Sequence, residues 1–207
     1  MQITDKITIT NEDCMDLMAR YPDKWFELAI VDPPYGLPNR SKQGAGKLIN
    51  RKIQQMYDRG WDIPPKQEYF VELMRVTKNQ IIWGGNYFNL PPNRGFIIWD
   101  KKQPWPNFAA CEYAWNSIDG VSKIFVYDNR TGDKIHPTQK PIALYSWLLK
   151  NYAKPGDKIL DTHAGSCSLA IACYRFGFEL VACELDKDYY EAAIKRVMLE
   201  VDQGKLF

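Results

Sequence analysis

Lys158-Ile159-Leu160-Asp161-Thr162-His163-Ala164-Gly165-Ser166-Cys167-Ser168-Leu169-Ala170 reads as a short strand, a loop of small residues and the start of a helix that continues to about Tyr174. In that order they make the βα turn on which nucleotide-binding folds seat a ligand. The next apolar run ends in Val181-Ala182-Cys183-Glu184, so an acid stands 23 residues after Asp161. A ribose-binding carboxylate at the end of a second Rossmann strand has that spacing, and a ribose diol is the expected partner of Glu184. Without Glu184 the loop reads equally as a tight turn packing a helix against a strand.

The loop also narrows the ligand. A dinucleotide site needs Gly-x-Gly-x-x-Gly or Ala so that a pyrophosphate can reach bare backbone, whereas the run here is Gly165-x-Cys167-x-x-Ala170. One glycine is missing, which argues against a dehydrogenase. A ligand with adenosine and no phosphates needs less exposed backbone, and S-adenosylmethionine is the expected cofactor.

Outward from this turn, strand-like runs occur at 7–10, 28–31, 81–83, 96–99, 112–116, 122–127, 158–160 and 179–183. Helical spacing falls between several of them: Asn11 caps a helix through Arg20, Pro65 opens one to about Thr77, Pro141 opens one to about Tyr152, and 188–201 is amphipathic. Alternating strands and helices predict an α/β fold with a mostly parallel sheet and helices on both faces. The stretch 96–127 lacks a helix and is expected to supply antiparallel strands at one edge.

Leu28-Ala29-Ile30-Val31 runs directly into Asp32-Pro33-Pro34-Tyr35. Pro33 and Pro34 fix their own φ and bias the residues before them to extended backbone, so a buried strand ends in a rigid polar loop. The Asp32 carboxylate and the Pro33 carbonyl can accept the two hydrogens of an exocyclic amino group, and the Tyr35 ring offers a stacking face. An amino-bearing aromatic base fits such a loop, and so does a simple proline-rich turn.

Lysines and arginines number 27 against 25 acids, a net charge of +2, but the balance is uneven along the chain. Arg40, Lys42, Lys47, Arg51, Lys52 and Arg59 face the single acid Asp58 in a glycine-containing stretch. Next to a candidate base site, such a stretch points to a phosphate backbone and hence to DNA or RNA as partner. A solvated loop has the same composition. The five cysteines form no CxxC pair and only His136 and His163 are present, so no metal site is expected, and the thiols are read as reduced. With no apolar run of about 18 residues and a strand-like MQITDKITIT start, no membrane span is expected and the cytoplasm is the predicted location. At 207 residues the chain is read as one domain.

His136-Pro137-Thr138-Gln139-Lys140-Pro141 precedes a helix. It reads as a helix start with Thr138 or Gln139 near the cap, or as three polar side chains held by prolines to bind a charged small molecule. Glu112 and Trp115 stand where they could line a base pocket, although alternation there is also what a half-buried strand shows.

Together, Asp-Pro-Pro-Tyr after a strand, His-Pro-Thr-Gln-Lys-Pro before a helix and Asp-x-x-x-Gly-Ser in the following βα turn resemble the amino-group DNA methyltransferases of the permuted β class. More narrowly, the chain is similar to small phage and bacterial DNA N6-adenine methyltransferases, also in Ile82-Trp83-Gly84-Gly85-Asn86-Tyr87 and Trp99-Asp100-Lys101. The resemblance implies a Rossmann-like methyltransferase fold of seven to eight strands. Residues 1–135 would form the target-base half, with a basic loop over 36–61, and 136–207 the cofactor half. Asp32, Pro33, Pro34 and Tyr35 would hold the base. Asp161, Ala164, Gly165 and Ser166 would line the cofactor pocket, Glu184 would bind its ribose, and His136, Pro137, Thr138, Gln139 and Lys140 would bracket its methionine end. Arg40, Lys42, Lys47, Arg51 and Lys52 would meet the DNA, and members are often homodimers.

Two departures stand out. Thr162-His163 replaces the family's usual Pro-Phe, and Cys167 puts a thiol where the family has a second glycine. Only about 18 residues separate Ser117 from His136, too few for a large recognition domain. The implied reaction is direct in-line methyl transfer to adenine N6 on a flipped-out base, with no covalent intermediate. N4-cytosine methylation is the alternative, as is a non-catalytic DNA-binding protein on the same fold. Asp at the first motif position favours adenine.

Overall fold

The computed structural model describes residues 1–37, 62–104, 109–128, 135 and 139–204. In chain order the elements are β1 (Ile7–Asn11), α1 (Cys14–Ala19), β2 (Phe26–Val31), α2 (Gln67–Val76), β3 (Thr77–Trp83), β4 (Phe96–Asp100), β5 (Cys111–Asn116), β6 (Lys123–Val126), α3 (Ile142–Tyr152), β7 (Lys158–Asp161), α4 (Ser168–Phe176), β8 (Glu179–Glu184) and α5 (Lys187–Gly204). They build an eight-stranded sheet in the order β1-β8-β7-β2-β3-β5-β4-β6.

The central strands read as continuous apolar runs because both of their faces are covered. Alternate residues divide between two cores: Leu28 and Ile30 of β2, Ile81 and Trp83 of β3, Ile159 of β7, and Leu180 and Ala182 of β8 pack under α3, α4 and α5. Ala29, Val31, Ile82, Leu160, Val181 and Cys183 point the other way, against α1 and α2.

Strands β1, β8, β7, β2 and β3 run parallel. The chain passes from β2 to β3 on one side and from β7 to β8 on the other. The β2/β7 boundary is therefore where the strand order reverses, and the crevice outside carboxyl ends at such a point is where α/β sheets bind ligands. The expected antiparallel edge resolves differently in detail. Only β5 is reversed, between β3 and β4, while β6 pairs parallel with β4 and forms the edge.

Asn11 does not cap α1. It ends β1, and its amide donates to the carbonyls of Glu184 and Leu185, while Asp13 accepts from the Met15 backbone N–H and caps the helix. Pro141 stands at the cap of α3 in extended backbone, one position earlier than the first turn. Cys167 caps α4 in the left-handed region, with φ 55°. Its side chain is buried within the core cluster, which raises the thiol's pKa, and it is close enough to Asp161 and Glu184 for both to raise it further.

Candidate active site

The Asp32 loop leaves the carboxyl end of β2 and is held from two directions. Beyond Tyr35 the backbone turns at Gly36, with φ 68°, and the N–H groups of Tyr35, Gly36 and Leu37 all donate to the Asp62 carboxylate, at 2.8, 3.0 and 2.9 Å. Successive N–H groups converging on one carboxylate form a nest, which fixes the loop's exit much as the prolines fix its start. Within the loop, the Tyr35 hydroxyl donates to Asp32 Oδ1 at 2.6 Å. The Tyr35 ring stacks on Tyr87, 5.1 Å between centroids and 25° between planes, with Gly84 directly against it.

On its other oxygen, Asp32 receives a hydrogen bond from the Lys140 ammonium. The Lys140 side chain is only 2% exposed, and its Nζ lies 3.0 Å from Glu112 Oε2 and 5.2 Å from the centre of the Trp83 ring. Lys101 closes the chain of charges by pairing with Glu112 Oε1. Burial would lower the pKa of Lys140, but the Asp32 and Glu112 carboxylates hold it above the ordinary lysine value. Burial would likewise raise that of Glu112, and Lys140 and Lys101 together bring it below the ordinary value. Lys140 and Glu112 are therefore both held in their charged forms, in a cluster of two acids and two bases. Lys140, expected at the methionine end of a cofactor, faces Asp32 and Glu112. Trp115 is buried, its indole N–H donating to the Pro91 carbonyl, and belongs to the core.

Across the crevice, β7 ends at Asp161 and β8 at Glu184, on neighbouring strands. Glu184 Oε2 accepts from the Gly165 N–H at 2.8 Å and Oε1 from the Asp186 N–H at 3.0 Å, so the carboxylate is oriented from both sides and keeps lone pairs for a diol. Asp161 is buried and accepts from the His163 N–H at 3.1 Å. Burial, with Asp32 and Glu184 nearby, pushes its pKa up to about 8. Ala164 donates to the Cys183 carbonyl, and Ser166 is buried with its carbonyl accepting from Arg196. The unusual Thr162-His163 pair is internally satisfied: Thr162 bonds both the Tyr69 hydroxyl and His163 Nδ1. Burial pushes the His163 pKa down to about 4.

Asp32, Pro33, Pro34, Tyr35, Lys140, Asp161, Ala164, Gly165, Ser166 and Glu184 thus gather at one edge of the sheet. Gln139 accepts from the Ile135 N–H through its side chain and holds the approach to α3. His136, Pro137 and Thr138, and the basic residues Arg40, Lys42, Lys47, Arg51 and Lys52, lie outside the described residues. Lys101 and Asp62 are not among the expected site residues, whereas Glu112, read as lining a base pocket or as part of a half-buried strand, faces Lys140 in the site. Glu112 carried a weak signal, an acid in an otherwise apolar strand; the other two carried none. Among the described residues, no cluster of His, Cys, Asp and Glu is placed to hold a metal ion.

A family model for DNA methylases, N6_N4_Mtase, matches residues 120–195, which run from the β6 edge through the cofactor-side strands. The chain is 27% identical to the type II methyltransferase M2.MboI of Moraxella bovis, over 89% of this chain and 85% of that protein. It is 23% identical to the type II methyltransferase M2.DpnII of Streptococcus pneumoniae, over 95% and 91%. Its fold superposes with a TM-score of 0.61 on TTHA0409, a putative DNA modification methylase from Thermus thermophilus solved with S-adenosyl-L-methionine, at 19% identity over 94% of both chains. Over nearly its whole length, with the base loop preceding the cofactor turn along the chain, this protein is similar to amino-group DNA methylases.

Proposed function

We propose that this protein transfers a methyl group from S-adenosylmethionine to the N6 amino group of adenine in DNA, on a base turned out of the duplex. The observation that carries this reading is the Asp32 carboxylate, fixed at the carboxyl end of β2 beside the crevice that Asp161 and Glu184 line. That crevice suits the cofactor. Glu184 can accept from both ribose hydroxyls, and its carboxylate at the strand end disfavours a ligand bearing phosphates there. When bound, the cofactor supplies a sulfonium methyl, an electrophile that transfers in line.

The protein's part is to prepare the nucleophile. The N6 lone pair is delocalised into the adenine ring, so Asp32 and the Pro33 carbonyl, by accepting one N6 hydrogen each, favour the geometry in which it localises. They also stabilise the positive charge that grows on nitrogen during transfer. Asp32 keeps acceptor capacity beyond the bonds from Tyr35 and Lys140, because each carboxylate oxygen has two lone pairs. Tyr35 and the half-exposed Tyr87 offer the aromatic surface for the turned-out base. We assign His136, Pro137, Thr138 and Gln139 to the methionine end, and Arg40, Lys42, Lys47, Arg51 and Lys52 to the phosphate backbone. A homodimer in the cytoplasm is the assembly and location we propose; among the described residues no helix is long and apolar enough to cross a membrane.

The matched family covers both adenine N6 and cytosine N4 methylation, and adenine is preferred on the aspartate that opens the base loop. The test is incubation with methyl-labelled S-adenosylmethionine and unmethylated DNA, followed by digestion to nucleosides. Label is expected in N6-methyldeoxyadenosine, and Asp32→Ala should lose it while its cofactor dissociation constant, by calorimetry, stays within about threefold. Label in methylcytidine, or none with the wild-type protein, would overturn the reading.

A further inference from the structure

Four side chains from separate parts of the chain meet beneath the base loop: Asp32 after β2, Lys101 after β4, Glu112 on β5 and Lys140 before α3. Asp32 and Lys140 are 108 positions apart, and Lys140 is almost wholly buried. A buried ammonium among aromatic rings is retained only with compensating charge, and such pairs often destabilise a fold relative to apolar packing. Structure alone gives no reason to keep it. What it touches is the reacting end of the proposed site: Lys140 donates to Asp32, and its Nζ stands 3.4 Å from the Tyr35 hydroxyl.

We propose that Lys140 and Glu112 are positioning residues for methyl transfer, Lys140 fixing the orientation of the Asp32 carboxylate and Glu112 cancelling the ammonium's field where the target nitrogen becomes cationic. The inference rests on the reading of Asp32 given above. Asp32 needs one rotamer if its free lone pairs are to face the amino group, and Lys140 with Tyr35 clamps one oxygen each. A bare ammonium at that distance would oppose positive charge on N6. Glu112, on the far side of Lys140, offsets it, and Lys101 in turn balances Glu112. The other groups facing Asp32 are the Tyr145 hydroxyl on α3 and Asp161 at the end of β7. Tyr145 is held neutral by burial. Asp161 keeps its proton near neutral pH, and Lys140 is the cation in contact with Asp32.

The variants are Lys140→Met, Glu112→Gln and the double variant. The double variant removes one charge of each sign, so the cluster stays neutral and the fold is preserved even where Lys140→Met alone unfolds. Each is assayed for melting temperature, cofactor dissociation constant by calorimetry, and single-turnover methyl transfer to DNA. The folded double variant should bind cofactor within about threefold of wild type yet transfer roughly a hundredfold more slowly, the cost typical of a misplaced reacting group. Glu112→Gln, which leaves the Lys140 contact to Asp32 in place, should slow transfer by only roughly tenfold. Transfer by the double variant at the wild-type rate, or a rate loss matched by lost cofactor affinity, would overturn the proposal. An inactive wild-type protein would instead strike down the reading it rests on.

Discussion

Asp161 is a carboxyl with little room for charge. Burial raises its pKa to about 8 from a reference value of 3.8, so between those limits the folded state holds a proton that the unfolded chain has released. Stability therefore falls as pH rises across that window, by about 1.4 kcal/mol per unit. His163 acts in the opposite sense. Its pKa drops from 6.5 to about 4, the unfolded chain carries the extra proton, and stability rises with pH from about 4 to 6.5. The two slopes nearly cancel up to pH 6.5, and above it Asp161 acts alone. Stability from denaturant titrations should therefore fall by about 1 kcal/mol between pH 6.5 and 8 in the protein without cofactor. Asp161→Asn should flatten that fall; an unchanged slope in the variant would assign it to other groups. Asp161 and Glu184 were legible in the sequence because each ends an apolar strand, so local pattern alone locates them. Lys101 was not, and Glu112 was legible only as one of two readings. Their meaning arises only when β4, β5 and the segment before α3 come together, and no local spacing encodes that meeting.

At the scale of elements, the short turn after β3 supports the base loop from below. Gly84 sits there with φ 69°, and a Cβ on it would lie 2.2 Å from Cε1 of Tyr35. The ring cannot simply give way, because its hydroxyl is bonded to Asp32 and its face is stacked on Tyr87. Gly84→Ala should therefore destabilise the fold by about 1–3 kcal/mol through backbone strain and overpacking. It should slow methyl transfer by roughly a hundredfold by displacing Tyr35 and with it Asp32. Single-turnover kinetics beside denaturation measure both, and an unaltered rate would mean that the Tyr35 position is immaterial. The strands themselves were largely legible, since runs covered on both faces are plainly apolar. Their directions were less so: β4, β5 and β6 have similar alternation, and a sequence does not say which of them turns back.

Across the whole molecule, the target-base loop and the cofactor turn leave adjacent strands, β2 and β7, at the point where strand order reverses. Everything proposed for the chemistry lies within reach of that one crevice, and the basic stretch between Leu37 and Asp62 begins and ends at its rim. Replacing 38–61 by a short glycine-serine linker should leave stability and cofactor affinity within about 1 kcal/mol of wild type, because both ends stay tied. It should weaken DNA binding and lower the slope of log affinity against log salt by as much as about 5, one counterion per lost phosphate contact. Binding titrations at several salt concentrations check this, and an unchanged slope would place the DNA contacts elsewhere.

The Asp62 nest gives that stretch a further property. One carboxylate gathers the departing backbone at Tyr35, Gly36 and Leu37, so the gap to be bridged is the same whatever lies between. Doubling the length of such an insert adds only about 0.6 kcal/mol of closure entropy. With the DNA-contacting role proposed for that stretch, target choice can diverge by wholesale exchange of one cassette, while the machinery that handles the methyl group is inherited intact.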